Sequence, residues 1–169
     1  MKLRRESRTL FHKSVSSLRR GLTAFNSFDE DGRITSVLLH LQHACEMLLK
    51  AILVQHQINV FDKDMSKAID FGECLGRAQT HCGLTPEETG VMRAISSLRN
   101  SEQHWILALE ENILYVHVRA LVTVLDDLMV RQFKRSLADN LPVRVLPLST
   151  TPMSDIALLI DQELNRPGF

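Results

Sequence analysis

The chain has 169 residues, of which 44% are hydrophobic, and its charge is balanced, with 20 Lys and Arg against 20 Asp and Glu. This length fits one domain with at most an appendage, and the composition excludes a disordered tail, a collagen-like chain and a disulfide scaffold. Zero net charge argues against a protein that binds polyanions over its whole surface, and 26 leucines with only 7 glycines and 5 prolines favour helices.

The balanced charge is unevenly distributed along the chain. Residues 1–20 contain seven Lys and Arg residues against the single acid Glu6, whereas residues 21–32 contain three acids and no base. A basic first helix predicts either local contact with a phosphate backbone or simply a solvated helix face. The basic residues would add to an active site only if they lie on the same side of the molecule.

The cysteines and the apolar segments bear on the cellular compartment. Three cysteines without a C-x-x-C pair predict reduced thiols. Residues 1–20 lack the apolar segment of a secretory signal, and polar residues such as Gln42, Glu46 and Lys50 interrupt the most apolar part of the chain. We therefore expect a cytoplasmic protein that does not span a membrane.

The first part of the chain predicts two long helices. Apolar residues recur at helical spacing from about Ser7 to Ala24, and the polar segment Asn26–Gly32 predicts a loop. Arg33–Gln57 has the strongest helical pattern, with a broad apolar stripe on one side and further apolar residues on the other. Such a helix is expected in the centre of a bundle or at an oligomer interface.

The middle of the chain predicts a loop and two further helices. Asn59–Ser66 is expected to be a loop, and Ile69–Gln79 a short helix that two glycines interrupt. Thr85 at the N-cap, Pro86 at the first helical position and Glu88 at the third mark the start of a helix that continues to about residue 100 or beyond.

The last part predicts one long helix and an arm. The helix covers roughly Glu111–Leu137, followed by an extended, proline-containing segment, Leu141–Pro152, and a short amphipathic helix, Ser154–Leu164. The predicted fold is an all-α bundle of four to five main helices, formed by residues 1–140, with a C-terminal arm formed by residues 141–169.

One segment near residue 100 combines residue types that support chemistry. On a continuous helix Asn100 and His104 are one turn apart, with Arg93 and Ser97 on the same face. Arg99 is about 140° away from His104 around the helix, so its long side chain or a break in the helix must bring the two together. The alternative is a histidine that only caps or packs a helix end.

Two blocks of the sequence resemble the HEPN superfamily. The pattern Arg99-Asn100-x-x-x-His104 is similar to its Arg-x-x-x-x-His motif, in which Asn, Asp or His commonly follows the arginine. Phe25-Asn26, Arg33 and His43-Ala44-Cys45-Glu46-Met47-Leu48-Leu49-Lys50-Ala51 resemble the Asn…Arg…Ala-x-Glu-x-Leu-Leu-Lys-Ala block of one bacterial branch, a domain of unknown function. The likeness covers roughly residues 10–138, and Cys45 stands where that branch often has Trp.

The resemblance implies an all-α homodimer in which two copies of the motif face each other across the two-fold axis. Many members of the superfamily are metal-independent ribonucleases that act as toxins or antiviral defence effectors. The chain is accordingly expected to be an endoribonuclease without a cofactor, with Arg99, Asn100 and His104 as its catalytic residues and RNA as its substrate. An antitoxin or another regulatory protein is the further partner that the resemblance suggests.

The chemistry of these side chains fits RNA cleavage by the RNA's own 2′-hydroxyl. The reaction needs a base, an acid and positive charge on a phosphorane-like transition state. A histidine acts as either acid or base near neutral pH, and a symmetric dimer supplies two. Arg99 would hold the phosphate and Asn100 would orient His104 or a phosphate oxygen. The expected products are a 2′,3′-cyclic phosphate and a 5′-hydroxyl, formed without a metal.

Further residues are expected to support this site. Glu46 and Lys50 form an i,i+4 pair in the favourable order, with a histidine on the same arc of the helix. The alternative is an exposed ion pair of little consequence. The predicted supporting residues are Glu46, Lys50, His43, Arg33 and Arg93.

The sequence also allows other functions. His40-x-x-His43-x-x-Glu46 resembles half of a di-iron site, but no second Glu-x-x-His completes it, so we expect no metal. The alternative to a nuclease is a catalytically silent HEPN module that binds a partner protein or a nucleotide. A third hypothesis is a bundle in which Arg99 and His104 only hold an interface.

Overall fold

The computed structural model describes residues 3–61, 67–103 and 110–141. The described residues form five α-helices and a short 3-10 helix: α1 (Arg5–Phe25), α2 (Arg33–Gln55), α3 (Phe71–Cys82), α4 (Pro86–Gln103), α5 (Glu111–Phe133) and Leu137–Asp139. They include no β-strand, although Phe61 and Ala68 form an isolated bridge. The all-α bundle predicted from the sequence is confirmed. The predicted arm, apart from Leu141, lies outside the described residues.

Small residues allow α1 and α2 to pack closely as an antiparallel pair. The hydroxyls of Ser7 and Ser14 on α1 donate to the carbonyl oxygens of Ala51 and Ala44 on α2, at 2.9 and 2.7 Å. Gly21 lies so near α2 that an added Cβ would be 2.9 Å from a leucine side chain there. The three contacts of α1 are seven residues apart, the interval at which a helix presents the same side to its neighbour.

Helix α2 is the central helix of the bundle, as its apolar pattern predicts. Of its 23 residues, 13 are buried, and it packs against α1, α3, α4 and α5. Among the described helices, α2 has the length and hydropathy of a membrane span, but 67% of that apolar window is buried inside the protein. The neighbouring helices therefore cover most of its apolar surface.

The start of α4 agrees with the sequence prediction. Thr85 Oγ1 accepts a hydrogen bond from the Glu88 N–H at 3.2 Å, and Glu88 Oε2 accepts one from the Thr85 N–H at 2.8 Å, which together form a capping box. Glu88 also accepts two hydrogen bonds from Arg131 near the C-terminal end of α5, at 2.9 and 2.8 Å. The Glu88 carboxylate therefore caps the N-terminus of α4 and links this helix to α5, which runs antiparallel to it.

At the opposite end of the bundle, Arg33 links the ends of α1, α2 and α5. Its Nε pairs with Glu30 at 3.0 Å, its Nη1 donates to the Phe25 carbonyl oxygen at 3.2 Å, and its Nη2 pairs with Glu111. The Arg33 side chain is only 5% exposed. Since each guanidinium nitrogen has a partner, the buried charge is satisfied.

Helix α3 differs from the sequence prediction because Gly72 and Gly76 do not interrupt it. Both glycines are exposed on a continuous helix, where glycine costs only about 1 kcal/mol relative to alanine. Asp70 caps this helix, since its Oδ1 accepts a hydrogen bond from the Glu73 N–H at 2.8 Å. The cap and the packing on α2 and α4 outweigh the low helix propensity of the glycines.

Helix α5 ends earlier than predicted, at Phe133 instead of Leu137. Lys134 has a φ of 57°, a left-handed C-cap conformation that stops the helix. Ser136 then caps the 3-10 helix, and its hydroxyl donates to Asp126 of α5 at 3.2 Å. The sequence predicts a longer α5 because its apolar pattern continues to Leu137. This residue is buried, but it belongs to the 3-10 helix and not to α5.

The three cysteines are free and buried, in agreement with the predicted reduced thiols. Burial raises the pKa of the Cys74 thiol to about 12 and that of Cys82 to about 11. Such thiols contain very little thiolate at neutral pH and are therefore poor nucleophiles.

We expect Glu88→Gln to lower the free energy of unfolding at neutral pH by about 2 kcal/mol, because a charged hydrogen-bond acceptor becomes a neutral one. Burial raises the pKa of Glu88, but the bonds from Arg131 and Thr85 lower it by more, so the folded-state pKa lies below the ordinary value. The stabilisation is therefore complete above the unfolded-state pKa and is lost as the pH falls through the folded-state pKa.

The measurement is urea unfolding of the wild type and Glu88→Gln from neutral pH to about pH 3. Glu6→Gln, at an exposed acid in the first turn of α1 without an ion pair among the described residues, is the matched control and should cost much less. Equal losses in both variants, or a difference that does not shrink in acid, would contradict the assigned role of Glu88.

Candidate functional site

Helix α4 turns one side to the core and a polar face to solvent. Its buried residues are Glu88, Thr89, Met92 and Ile95. The apolar residues Ala94 and Leu98 are only half-buried. The polar face agrees with the prediction, since Arg93, Ser97 and Asn100 are all exposed.

An open cleft of about 520 Å³ lies between this polar face and the beginning of α3. One wall is formed by a single arc of α4, the other by the first turn of α3 and the residue that caps it. The lining residues are Arg93, Ser96, Ser97 and Asn100 on α4, and Asp70, Phe71, Gly72 and Leu75 on the α3 side. A volume of this size is within the range of ligand pockets.

The cleft combines one unpaired cation with neutral hydrogen-bonding groups. Arg93 has no ion pair with any other described residue. The first turn of α3 adds the positive end of a helix dipole on the opposite wall. Asp70 is the one carboxylate of the lining, and its Oδ1 is bonded to the Glu73 N–H. The polar groups of this cleft therefore suit an anionic ligand that also has hydroxyls or amides.

Arg99 and Asn100, two of the predicted catalytic residues, lie on the last described turns of α4. Arg99 Nη1 donates to Asn100 Oδ1 at 3.3 Å. The buried Nε of Arg99 has no hydrogen-bond partner among the described residues. An unpaired buried N–H is unfavourable, so this half-buried guanidinium would gain from an anionic acceptor. Arg99 does not line the cleft, because it points about 100° away from Asn100 around the helix.

His104, the third predicted catalytic residue, lies outside the described residues, one position beyond the end of α4 at Gln103. Its position relative to Arg99 and Asn100 therefore stays a prediction. The adjoining turn of α4 is fixed to the bundle, since the hydroxyl of Thr35 on α2 donates to the carboxylate of Glu102. Consequently Arg99 and Asn100 belong to a supported part of the helix.

The predicted supporting pair on α2 is formed, but it faces α3. Lys50 Nζ contacts Glu46 Oε1 at 2.5 Å, with side-chain exposures of 8% and 25%. Both charges act on the pKa of the Cys74 thiol, which places the pair at the packing interface between α2 and α3. Among the described residues neither group is hydrogen-bonded to Arg99. The third member of the predicted arc, His43, is exposed.

The remaining supporting residues divide into two kinds. Arg33 lies at the end of the bundle where α2 begins, but its three nitrogens are already bonded to Glu30, Glu111 and the Phe25 carbonyl, so it is a structural residue. The bond to Glu111 is the main reason that the pKa of Arg33 is raised. Arg93, in contrast, lines the cleft with an unpaired charge. In the described ranges no group of three His, Cys, Asp or Glu residues is placed to bind a metal.

Sequence reasoning found the α4 wall of the cleft but missed the α3 wall. Arg93, Ser97 and Asn100 follow from helical spacing alone. Asp70, Phe71 and Gly72 come near them only through the packing of α3 on α4. The pair Asp70 and Glu73 could have indicated where this wall begins, because an N-cap residue followed by an acid in the first turn marks the start of a helix.

We expect Lys50→Met to lower the free energy of unfolding by about 3 kcal/mol, because Glu46 would keep a partly buried charge without its partner. The double variant Glu46→Leu/Lys50→Met should recover most of this loss, since both charges are removed. Urea unfolding of the two variants tests this, with the exposed Lys67→Met as the matched control. A double variant as unstable as the single one would show that the loss has another cause.

Comparison of the chain with known proteins yields no relative on which a function could be based. No protein-family model matches it, and searches of curated proteins and of solved structures give no match either.

Proposed function

We propose that the protein is a metal-independent endoribonuclease of the HEPN type, with an active site shared across a homodimer. The observation that supports this most directly is the arrangement at the end of α4. Half-buried Arg99, with its unpartnered Nε, lies beside Asn100, which borders an open cleft that also contains the unpaired Arg93. The all-α bundle is compatible with the family that the sequence resembles.

In the proposed reaction the protein supplies charge and proton transfer, and the RNA supplies the nucleophile. His104 of one protomer would accept the proton of the 2′-hydroxyl, and His104 of the other would protonate the leaving 5′-oxygen. Arg99 would hold the non-bridging oxygens of the scissile phosphate as charge develops on them. Asn100 would orient His104 or a phosphate oxygen. The products would be a 2′,3′-cyclic phosphate and a 5′-hydroxyl.

The cleft provides a place for the nucleotide next to the scissile phosphate. Its volume of about 520 Å³ is of the size that holds a small ligand. Arg93 would contact a neighbouring phosphate, and the hydroxyls of Ser96 and Ser97 would bond to the ribose or the base. Since Asn100 belongs to both the cleft and the motif, a nucleotide bound there would extend directly to Arg99.

A nuclease of this kind fits a toxin or a phage-defence effector that acts in the cytoplasm. Uncontrolled cleavage of cellular RNA would be harmful, so an antitoxin or another regulatory protein belongs to the same proposal. A growth defect on expression that His104→Ala relieves would support this role, whereas a silent binding module would be tolerated in either form.

The central prediction is that the purified protein cleaves labelled RNA in EDTA. His104→Ala and Arg99→Ala should each lower kcat by about 100-fold or more, because each removes a group that acts in the transition state. Arg99→Lys should also be impaired, since a lysine lacks the planar fork of a guanidinium. His81→Ala, at an exposed position of α3, is the matched histidine control and should retain activity. Full cleavage by His104→Ala would reject the proposed mechanism, as would products that carry a 5′-phosphate.

Arg93→Gln tests the role of the cleft separately. Removing an exposed, unpaired charge should raise KM several-fold and leave kcat nearly unchanged, because the lost contact binds substrate and transition state alike. Ser97→Ala should have the same effect to a smaller degree. A change in kcat with constant KM would place Arg93 at the reacting phosphate instead of beside it.

A further inference from the structure

Helix α1 and the residue before it present a basic face to solvent. Six cations there are exposed: Arg4, Arg5, Arg8, Lys13, Arg19 and Arg20. The segment from Arg4 to Arg20 contains a single acid, Glu6, so six positive charges face one negative charge in a chain whose net charge is zero. This is the strongest concentration of like charge in the described residues.

The cations share the solvent-exposed side of the helix, because its other side packs against α2. Ser7, Phe11, Ser14 and Leu18 are buried along that side, and the cations occupy the outer arc. From Arg5 to Arg20 the helix rises about 22 Å, which is long enough for its cations to contact several phosphates of an RNA strand. The hydroxyls of Thr9 and Thr23 on this arc are bonded to carbonyl oxygens of α1 itself.

The cations of α1 have no carboxylate partners in the described part of the chain. The ion pairs there engage Arg33, Lys50, Arg77 and Arg131, none of which belongs to α1. Arg19 donates only to the carbonyl oxygen of Asn140, at 3.1 Å. The guanidinium of Arg135 lies 5.8 Å above the Phe11 ring and so adds a further positive charge beside α1.

The basic face is separate from the cleft. Helix α1 packs mainly on α2, whereas α3 and α4 pack on other parts of α2 and make at most slight contact with α1. The charges of α1 therefore do not belong to the surroundings of Arg93 and Arg99. They form a second positive surface on the molecule.

We propose that the basic face of α1 binds the RNA backbone at a distance from the cleft. Its long row of cations without carboxylate partners complements a chain of phosphates, and the choice of RNA as the polyanion rests on the proposed function. An anionic membrane fits less well, because interfacial helices insert an apolar face and the apolar side of α1 is buried against α2. In addition, none of the exposed large hydrophobic residues that the structure describes lies on α1.

The test is a binding titration of a fluorescent single-stranded RNA with the full chain carrying His104→Ala, so that the RNA is not cleaved. The slope of log K against log salt is negative, and Arg5→Gln/Arg8→Gln should reduce its magnitude by about 1.4, because two phosphate contacts are lost. At about 0.1 M salt this corresponds to binding that is about 25-fold weaker. Glutamine keeps the helix propensity of arginine, and the melting temperature of the variant checks that the bundle is intact.

The control is Lys67→Gln, which removes an exposed positive charge outside α1 that has no ion pair among the described residues, and it should leave the RNA affinity and the salt slope almost unchanged. Unchanged affinity and salt slope in Arg5→Gln/Arg8→Gln would overturn the proposal. Equal or stronger binding to vesicles of anionic phospholipid would overturn it as well, in favour of a membrane surface.

The same experiments separate this proposal from the nuclease proposal. RNA that is bound through α1 but left intact by the wild-type chain would reject the nuclease and support the binding surface. RNA that is cleaved in a His104-dependent manner, with an affinity that the α1 substitutions do not change, would do the opposite.

Discussion

The structure depends on the burial of α2 from several sides. This helix packs against α1, α3, α4 and α5, and it is the one element that contacts all four of the other described α-helices extensively. Burial of a helix from several sides also removes the charged groups on those sides from water, which is costly unless each of them is paired. Arg33 and Lys50 are such groups, and both have acidic partners. The partners of Arg33 come from the loop before α2 and from the start of α5, so the requirement to pair one buried charge also sets how the helix ends meet.

The sequence predicts those parts of the fold that depend on neighbouring residues along the chain. Thr85, Pro86 and Glu88 mark the start of α4 because a capping box needs only four consecutive residues. The same local reasoning was wrong for α3, where packing on α2 and α4 outweighs the low propensity of Gly72 and Gly76. In the site it identified Arg93, Ser97 and Asn100 as one face, but the α3 wall depends on contacts between segments that are distant in sequence.

The two blocks that resemble the HEPN superfamily differ in what their residues do. In the first block Arg33, Glu46 and Lys50 are bonded to one another or to neighbouring helices, so their residue types are explained by packing and charge pairing. In the second block Arg99 has a buried N–H without a described acceptor, and Asn100 is exposed at the edge of a cleft. A group that the fold does not satisfy is a better candidate for ligand binding than one that it does. Arg99 and Asn100 are therefore better candidates for binding a ligand than the α2 pair, although the buried Nη1 of Arg119 on α5 also has no described acceptor.

Although the net charge of the chain is zero, its acidic and basic residues have different roles in the structure. Many acids of the described residues are used inside the fold: Glu88 and Asp70 cap helices, and Glu30, Glu46, Glu73 and Glu111 pair with cations. The cations on α1, and Arg93 in the cleft, are left without such partners. Because paired charges nearly cancel at a distance, the field outside the protein is dominated by the unpaired ones. Since the net charge is zero, unpaired acids such as Asp29 and Asp31 must balance these cations in sum, but they lie on other segments of the chain. The separation of charge therefore makes the outer side of α1 locally positive, and this local excess is what the proposed binding surface depends on.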